Sequence, residues 1–446
     1  MTTPVADFLR RYQKADKCRF HMPGHKGAGA LGCEAWDITE IPGADSLYEA
    51  SGILAQSERN AAALFGSGAT FYSTEGSSQC IRAMLCLALQ ARPAGTPPVV
   101  LAARNAHKAF VYAAALLDFE IAWLWPEGDA PLCACPVTAV GLERALAALS
   151  APPAAVYVTS PDYLGNMADL PALAEVCRRY GTLLLADNAH GAYLRFLSPS
   201  LHPLDLGADL VCDSAHKTLP VLTGGAYLHV AKTAPAVLRD RARAALALFG
   251  STSPSYLTLS SLDLCNAYLA GEGADGIRAA AGRMAALKRD LAGGGWTFAG
   301  TEPLKLALDA AAFGWTGFFT AERLRAGGVE LEYADRDFAV LMASGSTDEK
   351  AFLRVADVLQ SAVPGRPVPR PALPPAKGER VLTVRQALFA PQETVPAEKS
   401  LGRICGAPTV SCPPAVPVAV SGERIGAEAV RLFQYYGVEA VDVLKD

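Results

Sequence analysis

From about residue 60 to residue 230, short apolar or β-branched runs alternate with longer stretches of helical periodicity. This alternation constrains the fold more than any other feature of the chain. Seven runs have strand character: Thr70–Ser73, Pro98–Ala102, Glu120–Trp123, Ala155–Thr159, Thr182–Ala186, Leu210–Asp213 and Ala226–Val230. Between them, segments such as Ser78–Gln90 and Leu170–Tyr180 repeat apolar residues at helical spacing. Strands separated by helices predict an α/β fold with one large, seven-stranded, mostly parallel sheet.

A chain of 446 residues is long for one compact unit, which predicts further domains. Val5, Phe8, Leu9 and Tyr12 have the spacing of a short amphipathic helix, so residues 1–40 are expected to form an N-terminal arm and 41–275 the large domain. After Gly271-Glu-Gly273 an Ala/Arg/Leu-rich helix runs to Gly293-Gly-Gly295, and short strands with a helix near Glu349–Ala362 suit a smaller α/β domain over 276–362. The proline-rich stretch Val363–Pro375 reads as a stiff linker within 363–376, followed by a last domain, 377–446.

Several functional classes are excluded by composition. A formal net charge of −4, from 40 basic and 44 acidic residues spread along the chain, offers no basic stripe for nucleic acid. The longest apolar stretch, Phe110–Trp125, is broken by Asp118 and Glu120 and is too short to span a bilayer. No signal-peptide pattern opens the sequence, so the eleven cysteines read as reduced, mostly buried thiols and the expected compartment is the cytoplasm. No metal site is expected: Cys133-x-Cys135 lacks zinc-knuckle spacing, and Pro23-Gly24 separates His21 from His25. Gly27-Ala-Gly29-Ala-Leu-Gly32 fits a dinucleotide-loop pattern but does not follow a strand.

Three segments carry chemistry. Phe71–Ser73 leaves into Thr74-Glu-Gly76-Ser77-Ser78, where Gly76 and the free amides of a helix start could cup a phosphate; a plain serine N-cap is the alternative. A second apolar strand ends in Asp187-Asn-Ala-His190-Gly191, with Asp187 either at a cofactor or capping the next helix. A third runs into Ser214-Ala-His216-Lys217-Thr218, and lysine is the residue that forms a Schiff base with a carbonyl cofactor. Lysine for the aldehyde, carboxylate for the ring nitrogen and serines for the phosphate are the three contacts pyridoxal 5'-phosphate requires. His107, after the Pro98–Ala102 strand, could stack on the ring or be an ordinary satisfied polar residue.

These segments resemble the Orn/Lys/Arg decarboxylases, pyridoxal-phosphate enzymes of the aspartate-aminotransferase fold (fold type I). The resemblance runs nearly end to end, through Arg19-Phe-His-Met-Pro-Gly-His-Lys26, Ile41-Pro-Gly-Ala-Asp-Ser-Leu47, Arg104-Asn-Ala-His-Lys108, Thr159-Ser-Pro161, Asp187-Asn-Ala-His-Gly191, Ser214-Ala-His-Lys-Thr-Leu-Pro220 and Thr252-Ser-Pro-Ser-Tyr256. Gly402-Arg-Ile404, Cys412-Pro-Pro414 and Ser421-Gly-Glu423 resemble the family's C-terminal domain. Without a long N-terminal wing domain, the chain is similar to the shorter bacterial members.

The resemblance implies decarboxylation of arginine, lysine or ornithine to an amine for polyamine-type metabolism, by a homodimer. It implies Lys217 as the Schiff-base lysine, Asp187 as the partner of the ring nitrogen, His107 as the stacking residue and His190 beside the ring. Gly76, Ser77, Ser78, Ser214 and His216 would hold the phosphate, and Glu423 would meet the distal cation of the substrate. Five places depart from the family pattern: Asn188 for a usual Glu, Ala215 for a common Thr, Gly224-Gly225 for a frequent Gln-Ser pair, and the Cys412-Pro-Pro-Ala415 and Ser421-Gly-Glu423 elements. The same cofactor contacts would serve a transaminase or another lyase, and an inactive regulatory homologue is the alternative outside catalysis.

Overall fold

A computed structural model describes residues 1–128, 130–372, 374–408 and 414–445. Cys412 and Pro413, part of one family-like element, lie outside the described residues.

Seven strands form one sheet: β1 (Ala69–Ser73), β2 (Val99–Ala103), β3 (Glu120–Leu124), β4 (Ala155–Thr159), β5 (Leu183–Asp187), β6 (Leu210–Asp213) and β7 (Ala226–Val230), in the order β1-β7-β6-β5-β4-β2-β3. β2 runs parallel to β3 and β4, and β5 parallel to β6, whereas β7 is antiparallel to both β1 and β6. Each expected strand is present, with ends that differ by one residue at most. The sheet is legible because strands covered on both faces are almost wholly apolar: every residue of β6 and β7 is buried. The fold is therefore α/β, with the expected seven-stranded, mostly parallel sheet.

The chain divides into two compact units, Met1–Gly95 with Leu183–Arg278, and Thr96–Thr182 with Ala279 onward. In the first unit, helix α1 (Pro4–Lys14) buries Val5, Ala6, Leu9 and Tyr12, the stripe its spacing predicts. Its opening amides, Val5 N and Ala6 N, each donate to Asp263 Oδ2 at 3.0 Å, so a carboxylate meets the positive end of the helix. Helices α2 (Ile53–Phe65) and α3 (Gly76–Ala91) flank β1 in sequence. The glycine-rich turn Gly27–Gly32 lies between α1 and a short 3-10 turn at Glu34–Trp36, with no strand before it.

The second unit contains β2–β4, helix α4 (Lys108–Leu117) and an antiparallel sheet of β8 (Phe298–Ala299), β9 (Lys305–Asp309), β10 (Tyr333–Ala334) and β11 (Phe338–Met342), ordered β10-β11-β9-β8. The Ala/Arg/Leu helix spans Ala274–Gly293 and a later one Glu349–Gln360. No helix or strand occurs among the described residues of 363–375. Beyond it, β12 (Gln392–Pro396) pairs with β13 (Ala440–Leu444) over a small core that includes Cys405, Ile425, Phe433, Val441 and Val443. The ten described cysteines are free, most of them buried. Among the described residues, no helix is long and apolar enough to cross a membrane.

Candidate active site

The carboxyl ends of β5 and β6, neighbours in the sheet, present the chemistry of the first unit. Asp187 is the last residue of β5 and is buried; its Oδ1 accepts from Ala189 N at 3.2 Å and from Cys212 Sγ at 3.5 Å. It does not cap the next helical turn, whose N-cap is Gly191. His190 follows in the same corner, buried, and its Nε2 lies 3.0 Å from Lys217 Nζ. Lys217 sits in the short helix Ala215–Thr218 that begins one residue after β6. Two strand ends thus bring a lysine, an imidazole and a buried carboxylate to one edge of the sheet.

The end of β1 lies in the same unit. Glu75 is the N-cap of α3 and makes no side-chain cap bond, so no side chain satisfies the first amides of this 16-residue helix there, and the serine-cap alternative is not what forms. Ser73, inside β1, instead accepts from Glu75 N and donates to the Gly76 carbonyl. The Ser214 hydroxyl is buried and without a hydrogen-bond partner, as is that of Thr218. A buried, unpaired hydroxyl costs about 1–3 kcal/mol and points to a missing acceptor.

His216 stands close by: its ring is 3.9 Å from where a side chain on Gly76 would begin. Its Nδ1 is bonded to the Gly225 carbonyl at 2.9 Å, and burial, followed by the charge of Lys217, holds its pKa below the usual histidine value against that carbonyl. The ring is therefore neutral with its hydrogen on Nδ1. The departure at Gly224 has a steric reason. With φ +95°, it brings its backbone so close that a Cβ would meet the Thr74 carbonyl at 2.6 Å, and its own carbonyl accepts from Gly76 N at 2.8 Å.

His107 and Glu423 belong to the second unit. His107 is the N-cap of α4, its Nδ1 accepting from Ala109 N at 3.1 Å. Glu423 is buried; its Oε2 accepts from Val420 N at 2.8 Å and lies 3.6 Å from Arg104 Nη2. Burial raises the pKa of its carboxyl, with Arg104 and the Val420 amide opposing. Arg104 also donates to the Pro417 and Val418 carbonyls at 2.8 Å each, and its guanidinium faces the rings of Trp123 and Trp125. Sequence reasoning quoted Arg104 only as part of a motif and missed this anchoring role. Removing one partner of a buried pair leaves an uncompensated charge, so Arg104→Ala should cost about 3–5 kcal/mol in equilibrium urea unfolding.

Comparison with known proteins supplies the family. The model of the Orn/Lys/Arg decarboxylase major domain matches residues 3–318. The chain belongs to the Orn/Lys/Arg decarboxylase family. As a member it is a pyridoxal-phosphate-dependent decarboxylase of a basic amino acid. This decarboxylase is 29% identical over 457 residues to an arginine decarboxylase of Halalkalibacterium halodurans, covering 95% of this chain and 91% of the relative. To an arginine decarboxylase of Bacillus subtilis it is 28% identical over 461 residues, covering 96% and 92%. Its fold matches the constitutive lysine decarboxylase of E. coli with a TM-score of 0.78 at 18% identity, over 100% of this chain and 82% of that one.

Proposed function

We propose that this decarboxylase converts arginine to its amine and carbon dioxide, with Lys217 holding the cofactor and Asp187 and His190 serving it. The observation that carries the site assignment is the Lys217 Nζ to His190 Nε2 contact of 3.0 Å beside the buried Asp187 carboxylate. Arginine is chosen because the Halalkalibacterium halodurans and Bacillus subtilis relatives, similar over nearly the whole chain, are named arginine decarboxylases.

The residues present fit pyridoxal phosphate: the partnerless Ser214 hydroxyl and the uncapped start of α3 suit its phosphate, and Asp187 suits a protonated ring nitrogen. When bound, the cofactor supplies the sink for the electron pair released as carbon dioxide departs. Lys217 would bind it through Nζ, and Asp187 would keep a proton on the ring nitrogen by its negative charge. His190 would hold or pass a proton at Nζ, and the family resemblance gives His107 the role of covering the ring. Ser77, Ser78 and Ser214 would donate to the phosphate; Gly76, whose N–H is held by the Gly224 carbonyl, serves by leaving room for the close approach. His216 joins them only by taking a proton on Nε2, because its Nδ1 hydrogen is committed to Gly225. Glu423 accepts the distal cation of the substrate through Oε1, the oxygen not engaged by Arg104 or Val420.

Two expected results test these roles. Cofactor-loaded protein incubated separately with arginine, lysine and ornithine should release trapped carbon dioxide fastest from arginine; faster release from lysine or ornithine refutes the substrate choice, and a keto acid in place of carbon dioxide refutes the reaction. Ser214→Ala, which deletes one charge-assisted hydrogen bond, should weaken cofactor binding about tenfold by equilibrium dialysis. We further propose that the enzyme works in the cytoplasm as a homodimer, consistent with the strongly exposed Phe20 and Leu31. Light scattering on a size-exclusion column should give twice the chain mass.

A further inference from the structure

Beneath the corner that carries Asp187 and His190 lies a polar cluster with no assigned role. Asp213, the last residue of β6, is fully buried. Its Oδ2 faces two imidazoles, His202 Nε2 at 3.0 Å and His229 Nε2 at 3.1 Å, and its Oδ1 accepts from Asn188 Nδ2 at 2.6 Å. His202 and His229 are fully buried too, and the Phe65 ring packs on both of them.

The hydrogen positions follow from the outer partners. His202 Nδ1 accepts from Leu204 N at 3.3 Å, so its hydrogen is on Nε2 and points at Asp213. His229 Nδ1 lies 2.8 Å from Thr70 Oγ1, and burial holds its pKa below the usual value, so it is neutral and donates from Nε2. Burial alone would raise the Asp213 carboxyl, but the two facing histidines outweigh it and keep the group below the usual carboxylate range. Asp213 is thus an ionised, buried carboxylate held by three donors. The ligand atoms lie within 4.8 Å of one another, a spacing open to a metal ion, but the commitment of His202 Nδ1 as an acceptor favours hydrogen bonding.

Asn188 is the connection to chemistry. It follows Asp187 directly, its carbonyl accepts from Gly191 N at 2.8 Å to close the turn around His190, and its own Oδ1 is buried without a partner. Turned over, the amide would set oxygen against oxygen, so the charge of Asp213 fixes which way it points. An amide donates to an ionised Asp213 without taking up a proton, which a carboxyl in its place would need. We propose that Asp213 is a positioning residue of this decarboxylase: gripped by His202 and His229 on one oxygen, it holds the Asn188 amide on the other and so fixes the corner bearing Asp187 and His190. The proposal rests on the roles given above to those two residues.

The test is Asn188→Asp, which sets two carboxylates at hydrogen-bond distance. The titratable groups around Asp213 are His202, His229, Asp187, Cys80, Cys212 and Tyr227, and the new carboxylate joins them. Two such carboxylates raise the pKa of one of them. The shared proton keeps the corner closed at low pH and is lost as pH rises through that raised value, so the corner opens on the alkaline side. Asn188→Asp should therefore bind cofactor about as wild type does at pH 5.5 and about tenfold more weakly at pH 8.5, with a displaced visible absorption band. Wild type should show no such divergence.

Asn188→Asp/Asp213→Asn, which exchanges amide and carboxylate, should restore most of the binding at pH 8.5. Unchanged cofactor affinity and band position in folded Asn188→Asp at pH 8.5, with only a lowered melting temperature, would make the cluster merely structural and overturn the proposal. Stoichiometric metal in the purified protein would also overturn it. A wild-type cofactor band that survives Lys217→Ala refutes the site assignment instead, and the proposal falls with it.

Discussion

Lys217→Ala should lower carbon dioxide release by roughly four orders of magnitude or more and remove the visible absorption of bound cofactor, while the protein stays folded. The effect should be large because, in the proposed roles, one atom, Nζ, would both attach the cofactor and exchange protons with the imidazole that lies 3.0 Å away. Lys217 is only half-buried at the end of a four-residue helix, so truncating it opens little space in the core. Circular dichroism and melting temperature close to wild type should accompany the lost activity. Wild-type turnover in this variant would refute the assignment.

Asp187→Ala should lower the rate about a hundred- to a thousandfold, the usual cost of removing one preorganised electrostatic partner. Its backbone stays in the β5–β6 ladder, so the fold should survive. Asp187→Asn keeps the shape and loses the charge, and should be nearly as slow as the alanine variant. An Asp187→Asn enzyme with wild-type kcat would show that the ring nitrogen needs no ionised partner here.

The positions of the seven strands could be read from the sequence because each is a short, mainly apolar run bounded by turn or helix signals, a composition that burial on both faces demands of strands such as β6 and β7. Their order could not. Nothing local in Ala226–Val230 reveals that this strand runs antiparallel between β1 and β6. The lysine, the Asp-x-x-His corner and the glycine-serine turn stood out because each follows a strand directly, where a parallel sheet gathers its ligands.

What stayed hidden depends on pairings across the chain. Asp213 was visible at the end of its run, but its partner His202 lies in a loop 11 residues away and His229 on another strand. Arg104 finds the Pro417 carbonyl across 313 residues. No periodicity encodes such contacts; only the folded chain brings them together. The neutral state of His216 was likewise out of reach, since it follows from burial in the folded chain, and only the fold brings the Gly225 carbonyl to fix the hydrogen on Nδ1.

The central claim is that Lys217 carries the cofactor, and borohydride reduction of the cofactor-loaded protein followed by proteolysis and mass spectrometry tests it most directly. The account predicts a reduced phosphopyridoxyl group on the peptide containing Lys217 and on no other lysine. A modified lysine elsewhere, or no modified lysine in a protein that still releases carbon dioxide, would contradict it.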